Sequence, residues 1–115
     1  MNSTSKGKQG EAIAEKYLVK KGFQVLERNY RYKRSEIDLI AFLDNCVVFI
    51  EVKLRKNASF GFPEEFVTQK KAELIKMAAE NYVFDKDWHG NIRFDIISIL
   101  KTHLKEELLH LQDAF

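Results

Sequence analysis

A chain of 115 residues that is 45% hydrophobic and 31% charged fits one domain with one core, residues 1–115, and is too short to divide into two. Its formal net charge of +2 does not by itself mark a nucleic-acid binder, and a single cysteine excludes an internal disulfide. No run approaches the roughly 20 apolar residues of a membrane span, and residues 1–10 lack the apolar core of a signal peptide, so a cytoplasmic protein without a membrane partner is expected.

Residues 1–8 (MNSTSKGK) are polar and expected to be disordered. Over residues 11–21, Ile13, Ala14, Tyr17 and Leu18 recur at helical spacing, and Gly22 stands where a C-terminal cap belongs. Residues 23–30 read as a short strand, residues 35–43 and 46–54 as two longer ones, with Asp44 and Asn45 as the tight turn between them. Cys46 lies in an apolar run and is expected to be buried. Residues 55–63 form a loop, Pro63 suits the first turn of a long helix, and Glu64 and Glu65 complement its dipole. Val67, Leu74, Ile75, Ala78 and Tyr82 carry that helix to about Phe84. Residues 85–91 make a polar turn, residues 92–100 a β-branched strand, and residues 107–112 a strand or a short helix. The order is α-β-β-β-α-β with an open tail, an α/β class.

Charge is unevenly spread. The segment RNYRYKR at 28–34 holds Arg28, Arg31, Lys33 and Arg34 without an acid, and Lys53, Arg55 and Lys56 end the third strand. This points to one basic face, although a charge run is more often plain solvated surface.

A two-residue turn at Asp44 and Asn45 sets a register. Leu43 faces Cys46, and counting outward puts Asp38 opposite Glu51 and Glu36 opposite Lys53. Alternation places these four on one face with Ile40, Phe42, Val47 and Phe49, and leaves Ile37, Leu39, Ala41, Val48, Ile50, Val52 and Leu54 on a wholly apolar one. Helices should therefore cover both faces, with the acids where core gives way to a cleft. Like charges directly opposite are destabilising, so the Asp38–Glu51 pair calls for a raised carboxylate pKa, a neighbouring base or a hard divalent cation. Cross-strand ion pairs explain Glu36 with Lys53 easily and Asp38 against Glu51 poorly.

The runs SEIDLIA at 35–41 and VVFIEVKLR at 47–55 resemble the split acidic core of the PD-(D/E)XK nuclease superfamily, with Asp38 as the first acid and Glu51-Val52-Lys53 as the E-x-K part. The chain resembles more closely the YraN-like family of bacterial proteins, itself similar to archaeal Holliday junction resolvases. That likeness extends through GEAIAEKYLVKKGFQVLERNYR at 10–31, FVTQKKAELI at 66–75 and RFDII at 93–97. The family commonly has Gly where this chain has Ser35. The resemblance implies a restriction-endonuclease-like core, a mixed sheet flanked by helices, with Mg²⁺ or Mn²⁺ held by Asp38, Glu51 and the backbone carbonyl of Val52. Lys53 would then orient or deprotonate the attacking water.

Other residues carry two readings. Glu11 matches an acid that related resolvases place near the metal, and is equally an acid favoured by a helix dipole. Glu36 is a supporting acid or the cross-strand partner of Lys53. Lys71 touches a phosphate or is a solvated helix lysine, and Gln69 carries less signal. Arg93 and Asp95 are expected to form a structural ion pair. Tyr30 and Tyr32 either stack bases or pack. His89, His103 and His110 lack zinc-ligand spacing. The expected function is a metal-dependent endonuclease acting on DNA, of branched or structured form, contacted by Arg28, Arg31, Arg34, Arg55 and Lys71. Symmetric cutting would call for a homodimer. The rival is a non-catalytic DNA-binding or partner-binding module that keeps the fold.

Overall fold

The structure, a computed structural model, describes residues 5–57 and 67–115. Its order is α1 (Ser5–Lys20), β1 (Gln24–Tyr32), β2 (Ser35–Leu43), β3 (Cys46–Arg55), α2 (Gln69–Asp85), β4 (Asn91–Lys101) and β5 (Glu106–Leu111). The strands form one five-stranded sheet in sequential order, antiparallel except for β3 with β4. That parallel step needs a crossover, and α2 lies within it. A mixed sheet with a helix on each face is the expected α/β architecture and is compatible with a restriction-endonuclease-like core. Among the described residues no helix is long and apolar enough to cross a membrane.

Helix α1 begins at Ser5, so residues 5–8 are helical rather than disordered, and residues 1–4 lie outside the described part. Gly22, at φ 97°, ends it as expected, in a conformation that glycine adopts without strain. The apolar stripe of α1 packs Ala14 and Leu18 on Leu39, Ala41, Val48, Ile50, Ile97 and Ile99. At Gly10 the helix approaches so closely that a Cβ would stand 3.1 Å from the Cβ of Leu54. Both β-carbons are fixed to backbone, so neither could swing aside.

On the opposite face Ile75, Ala78, Ala79 and Tyr82 of α2 cover Ile37, Ile40, Val47 and Phe49. The expected opening of this helix at Pro63, with Glu64 and Glu65 in its first turn, lies outside the described residues. The helix itself starts at Gln69, where Thr68 is the N-cap and its hydroxyl accepts from Lys71 N–H at 3.1 Å. The tail resolves as a strand, because β5 pairs along β4 from Lys101–Glu106 to Ile96–Leu111.

Candidate metal centre

Asp44 and Asn45 both have positive φ, 51° and 60°, the pairing of a type I′ hairpin turn. The β2–β3 ladder leaves that turn in the expected register, Leu43 opposite Cys46, and runs to Leu39 opposite Ile50. There it stops. Asp38 is thus not a ladder partner of Glu51, as counting alone would have it. Its carboxylate instead accepts from Val52 N–H at 2.8 Å, so a side-chain oxygen serves the donor that the ladder leaves.

The cause lies one strand away. Between the pairs Arg28–Leu39 and Tyr30–Ile37, the β1–β2 register omits Asn29 and Asp38, and Asn29 is left-handed at φ 54°. Both strands exchange faces across this break. Arg28 reaches Glu15 on α1 and Leu39 joins the α1 core, whereas Tyr30 meets Tyr82 of α2 edge-on and Ile37 joins the α2 core. This corrects the placing of Ile37 with Leu39 on one apolar face, since strict alternation assumes an unbroken strand.

Four charged groups gather where the strands part. Glu51 on β3 is 6% exposed and is ion-paired with the Lys71 ammonium from the first turn of α2. Glu11 on α1 accepts from Asn29 Nδ2 at 3.0 Å. Burial, then the Glu51 charge, raises the Asp38 carboxyl from an ordinary 3.8 to about 8; Glu11 adds to this, while Val52 N–H and Lys71 oppose it. Lys53 lies two places after Glu51 on the same strand, partly buried, opposite Ser98 of β4.

The expected Glu36–Lys53 cross-strand pair is not part of the ladder, which ends three residues before Glu36; Glu36 is instead 4.0 Å from Arg31 of β1. Arg28 donates to Glu15 from Nε at 2.7 Å and through a second arm. Arg34 is exposed in the β1–β2 turn, and Arg55 ends β3, partly buried. Gln69 is exposed at the start of α2. Tyr30 is a packing residue whose hydroxyl accepts from Asn81 Nδ2 at 2.7 Å, and Tyr32 lies 5.3 Å below the Lys33 ammonium. Ser35 is 6% exposed and is not among the positive-φ residues, so the backbone there has no need of glycine.

Arg93 and Asp95 do form the expected ion pair, two-pronged at 2.9 Å. It belongs to a larger buried network that the sequence does not announce. His110 Nε2 lies 2.7 Å from Asp95 Oδ2, Asp113 N–H donates to Oδ1 at 2.9 Å, and Tyr17 OH lies 2.9 Å from His110 Nδ1. An imidazole protonated on Nε2 satisfies both ring contacts, donating to Asp95 and accepting from Tyr17. Finding His110 beforehand required the β4–β5 register, which sets it opposite Ile97. Cys46 is half-buried, and burial pushes its thiol up.

Among the described residues no three His, Cys, Asp or Glu side chains converge as a metal cage. What the site offers is two carboxylates and neighbouring backbone oxygen, the sparse hard-donor set that suits a cation retaining most of its waters. The raised Asp38 carboxyl fits such a cation, for burial first and the Glu51 charge second disfavour its ionised form, which a bound cation would favour again.

Residues 10–99 match the uncharacterised protein family UPF0102. The chain belongs to the UPF0102 family. Among its relatives, a UPF0102 protein of Cytophaga hutchinsonii is 46% identical over 99% of this chain and 98% of its own. Those of Natranaerobius thermophilus and Clostridioides difficile are 44% and 40% identical, with both chains fully covered in each case. The matched segment of this UPF0102 member contains Glu11, Asp38, Glu51, Lys53 and Lys71, and ends before His110 and Asp113.

Proposed function

We propose that this UPF0102 protein is a divalent-metal-dependent endonuclease of the PD-(D/E)XK type, hydrolysing DNA phosphodiesters in the cytoplasm. The observation that carries the reading is the junction itself. Asp38 and Glu51 are brought together at a break in the sheet, with Lys71 of α2 ion-paired to Glu51 and Lys53 two residues along β3 from it. A structural ion pair would need only one carboxylate and one base. A carboxyl raised by burial and by the charge of a second carboxylate, with lysines on both β3 and α2, suits a cation and a phosphate together.

Asp38, Glu51 and the Val52 carbonyl would hold Mg²⁺ or Mn²⁺. Such an ion supplies Lewis acidity and a bound water of lowered pKa. The chain's own groups do the rest. Val52 N–H holds the Asp38 carboxylate toward β3, Lys53 orients the water and offsets charge on the phosphate, and Lys71 meets a phosphate oxygen. Glu11, steadied by Asn29, adds a carboxylate beside Asp38. Arg34 and Arg55 contact the backbone of the substrate, and Arg28 and Arg31 join them from beside their acidic partners. Substrate of branched form would call for two active sites in a homodimer.

The test is incubation of the purified protein with labelled linear, single-stranded and branched DNA in Mg²⁺, Mn²⁺ or EDTA. Metal-dependent cleavage that Lys53→Ala abolishes, with DNA affinity largely kept, is the expected outcome. Binding without cleavage in either metal would favour the non-catalytic module. Neither binding nor cleavage would remove nucleic acid from the reading and point to a protein partner.

A further inference from the structure

Lys71 holds an unusual position between two roles. Its ammonium neutralises Glu51, a carboxylate only 6% exposed, yet its own side chain is 41% exposed, so the cation stands at the mouth of the site. Its backbone is fixed independently, because Thr68 Oγ1 accepts from Lys71 N–H. The side chain can therefore change partner by rotation while the first turn of α2 stays in place.

A divalent ion at Asp38 and Glu51 would compete with this ammonium for the Glu51 carboxylate. Two cations on one carboxylate repel each other, so the divalent ion loosens the ammonium's hold. We infer that Lys71 is an exchangeable counter-ion, which neutralises Glu51 in the metal-free protein and passes to a nucleic-acid phosphate when a divalent cation takes its place. The inference rests on the metal site proposed above and adds its regulation.

The consequence is positive linkage. Without DNA, metal must displace an ammonium that gains no new partner, so metal alone binds weakly. Without metal, Lys71 cannot leave for a phosphate, since it would strand a buried carboxylate. Each ligand thus removes the obstacle to the other, and by reciprocity the factor by which DNA tightens metal equals the factor by which metal tightens DNA. A resting lysine on Glu51 also keeps the empty site from gathering cations without substrate.

The distinguishing feature is the sign of a mutation. A lysine that merely supported the site would, on removal, weaken metal binding. An exchangeable counter-ion would, on removal, strengthen it. The experiment titrates the full chain with Mn²⁺ alone, then with Mn²⁺ in the presence of a short duplex bearing uncleavable phosphorothioate linkages. Wild type is expected to bind Mn²⁺ at least about tenfold more tightly with the duplex, in the range typical of coupled sites. Lys71→Gln, which keeps a hydrogen-bond donor for Glu51, is expected to bind Mn²⁺ alone about three- to tenfold more tightly than wild type, and to gain about twofold or less from DNA.

Lys71→Arg guards against a variant that fails to fold. Its fork holds a carboxylate more firmly than an ammonium, so Mn²⁺ alone should bind more weakly than to wild type. Lys71→Gln with unchanged or weaker Mn²⁺ affinity, or with the full gain from DNA, overturns the exchange. If Lys71→Gln does not fold, an unchanged Mn²⁺ affinity in Lys71→Arg overturns it. Wild type that takes up no Mn²⁺ under either condition refutes the metal site itself and the exchange with it, whereas wild type that binds Mn²⁺ without coupling to DNA refutes the exchange alone.

Discussion

The Asp38 carboxyl carries a proton near neutrality because burial and the charge of Glu51 hold it at about 8. The folded value lies above the ordinary 3.8, so the folded chain binds the extra proton. The stability this contributes is complete below about pH 4 and is lost as pH rises through about 8. Asp38→Asn removes the ionisation while its amide oxygen still accepts from Val52 N–H. In EDTA the variant should match wild type near pH 4 and exceed it by about 1–2 kcal/mol near pH 9, a part of the full shift because neighbouring charges relax together. Urea melts at the two pH values measure this. Mn²⁺ at a hundred times the Kd of the DNA-free protein should reverse the order, since wild type then gains about 2.7 kcal/mol and the variant gains little.

Two contacts between elements can be tested in the same manner. Asp95 joins β4 to β5, to the tail at Asp113 and, through His110, to Tyr17 of α1. Burial pushes its carboxyl up, but the hydrogen bonds from His110, Arg93 and Asp113 N–H outweigh this and hold it below the usual value. Its contribution to stability is therefore present above the ordinary 3.8 and is lost as pH falls through the lower folded value, opposite in slope to Asp38. Asp95→Asn should cost about 3 kcal/mol at neutral pH, because Arg93 and His110 lose their charged partner, and should flatten the acid limb of the stability profile. The second contact is Gly10 against Leu54. Gly10→Val forces α1 away from β3 and should destabilise by about 2 kcal/mol or more in thermal melts. It should also reduce the Mn²⁺-dependent rise in Tm, because Glu11 moves with the helix.

At the scale of the molecule, the basic residues are not equivalent. Arg28 and Arg31 are matched by Glu15 and Glu36, whereas Arg34 stands exposed in the β1–β2 turn. A cation already neutralised by a carboxylate adds less to phosphate binding than one facing solvent. Arg34→Ala should lower the slope of log affinity against log salt by about 0.9, the value of one phosphate contact. Arg28→Ala and Arg31→Ala should each change that slope by less. Fluorescence anisotropy across a salt series on one duplex distinguishes them, and a uniform drop for all three would contradict the grouping.

Local chemistry wrote much of this architecture into the sequence. Ile13, Ala14, Tyr17 and Leu18 mark α1, and Asp44 with Asn45 specify a turn that only positive-φ residues make easily, which fixes the β2–β3 register for five pairs. The acidic run with E-x-K was equally legible, because its residue types and spacing are contiguous along the chain. What lay beyond reach depended on strands distant in sequence. The left-handed turn of Asn29 breaks alternation and sends Ile37 and Leu39 to opposite faces, and nothing within β2 itself announces it. The pairing of Glu51 with Lys71 needs the crossover helix to lie on the Glu51 face, and the joining of Asp95 to His110 needs β5 in one register. Sequence by itself determined the elements, the main turn and the chemical groups available, since those rest on short-range sterics and periodicity. Tertiary packing decided which charges meet, because a buried charge takes whichever partner the fold brings within reach.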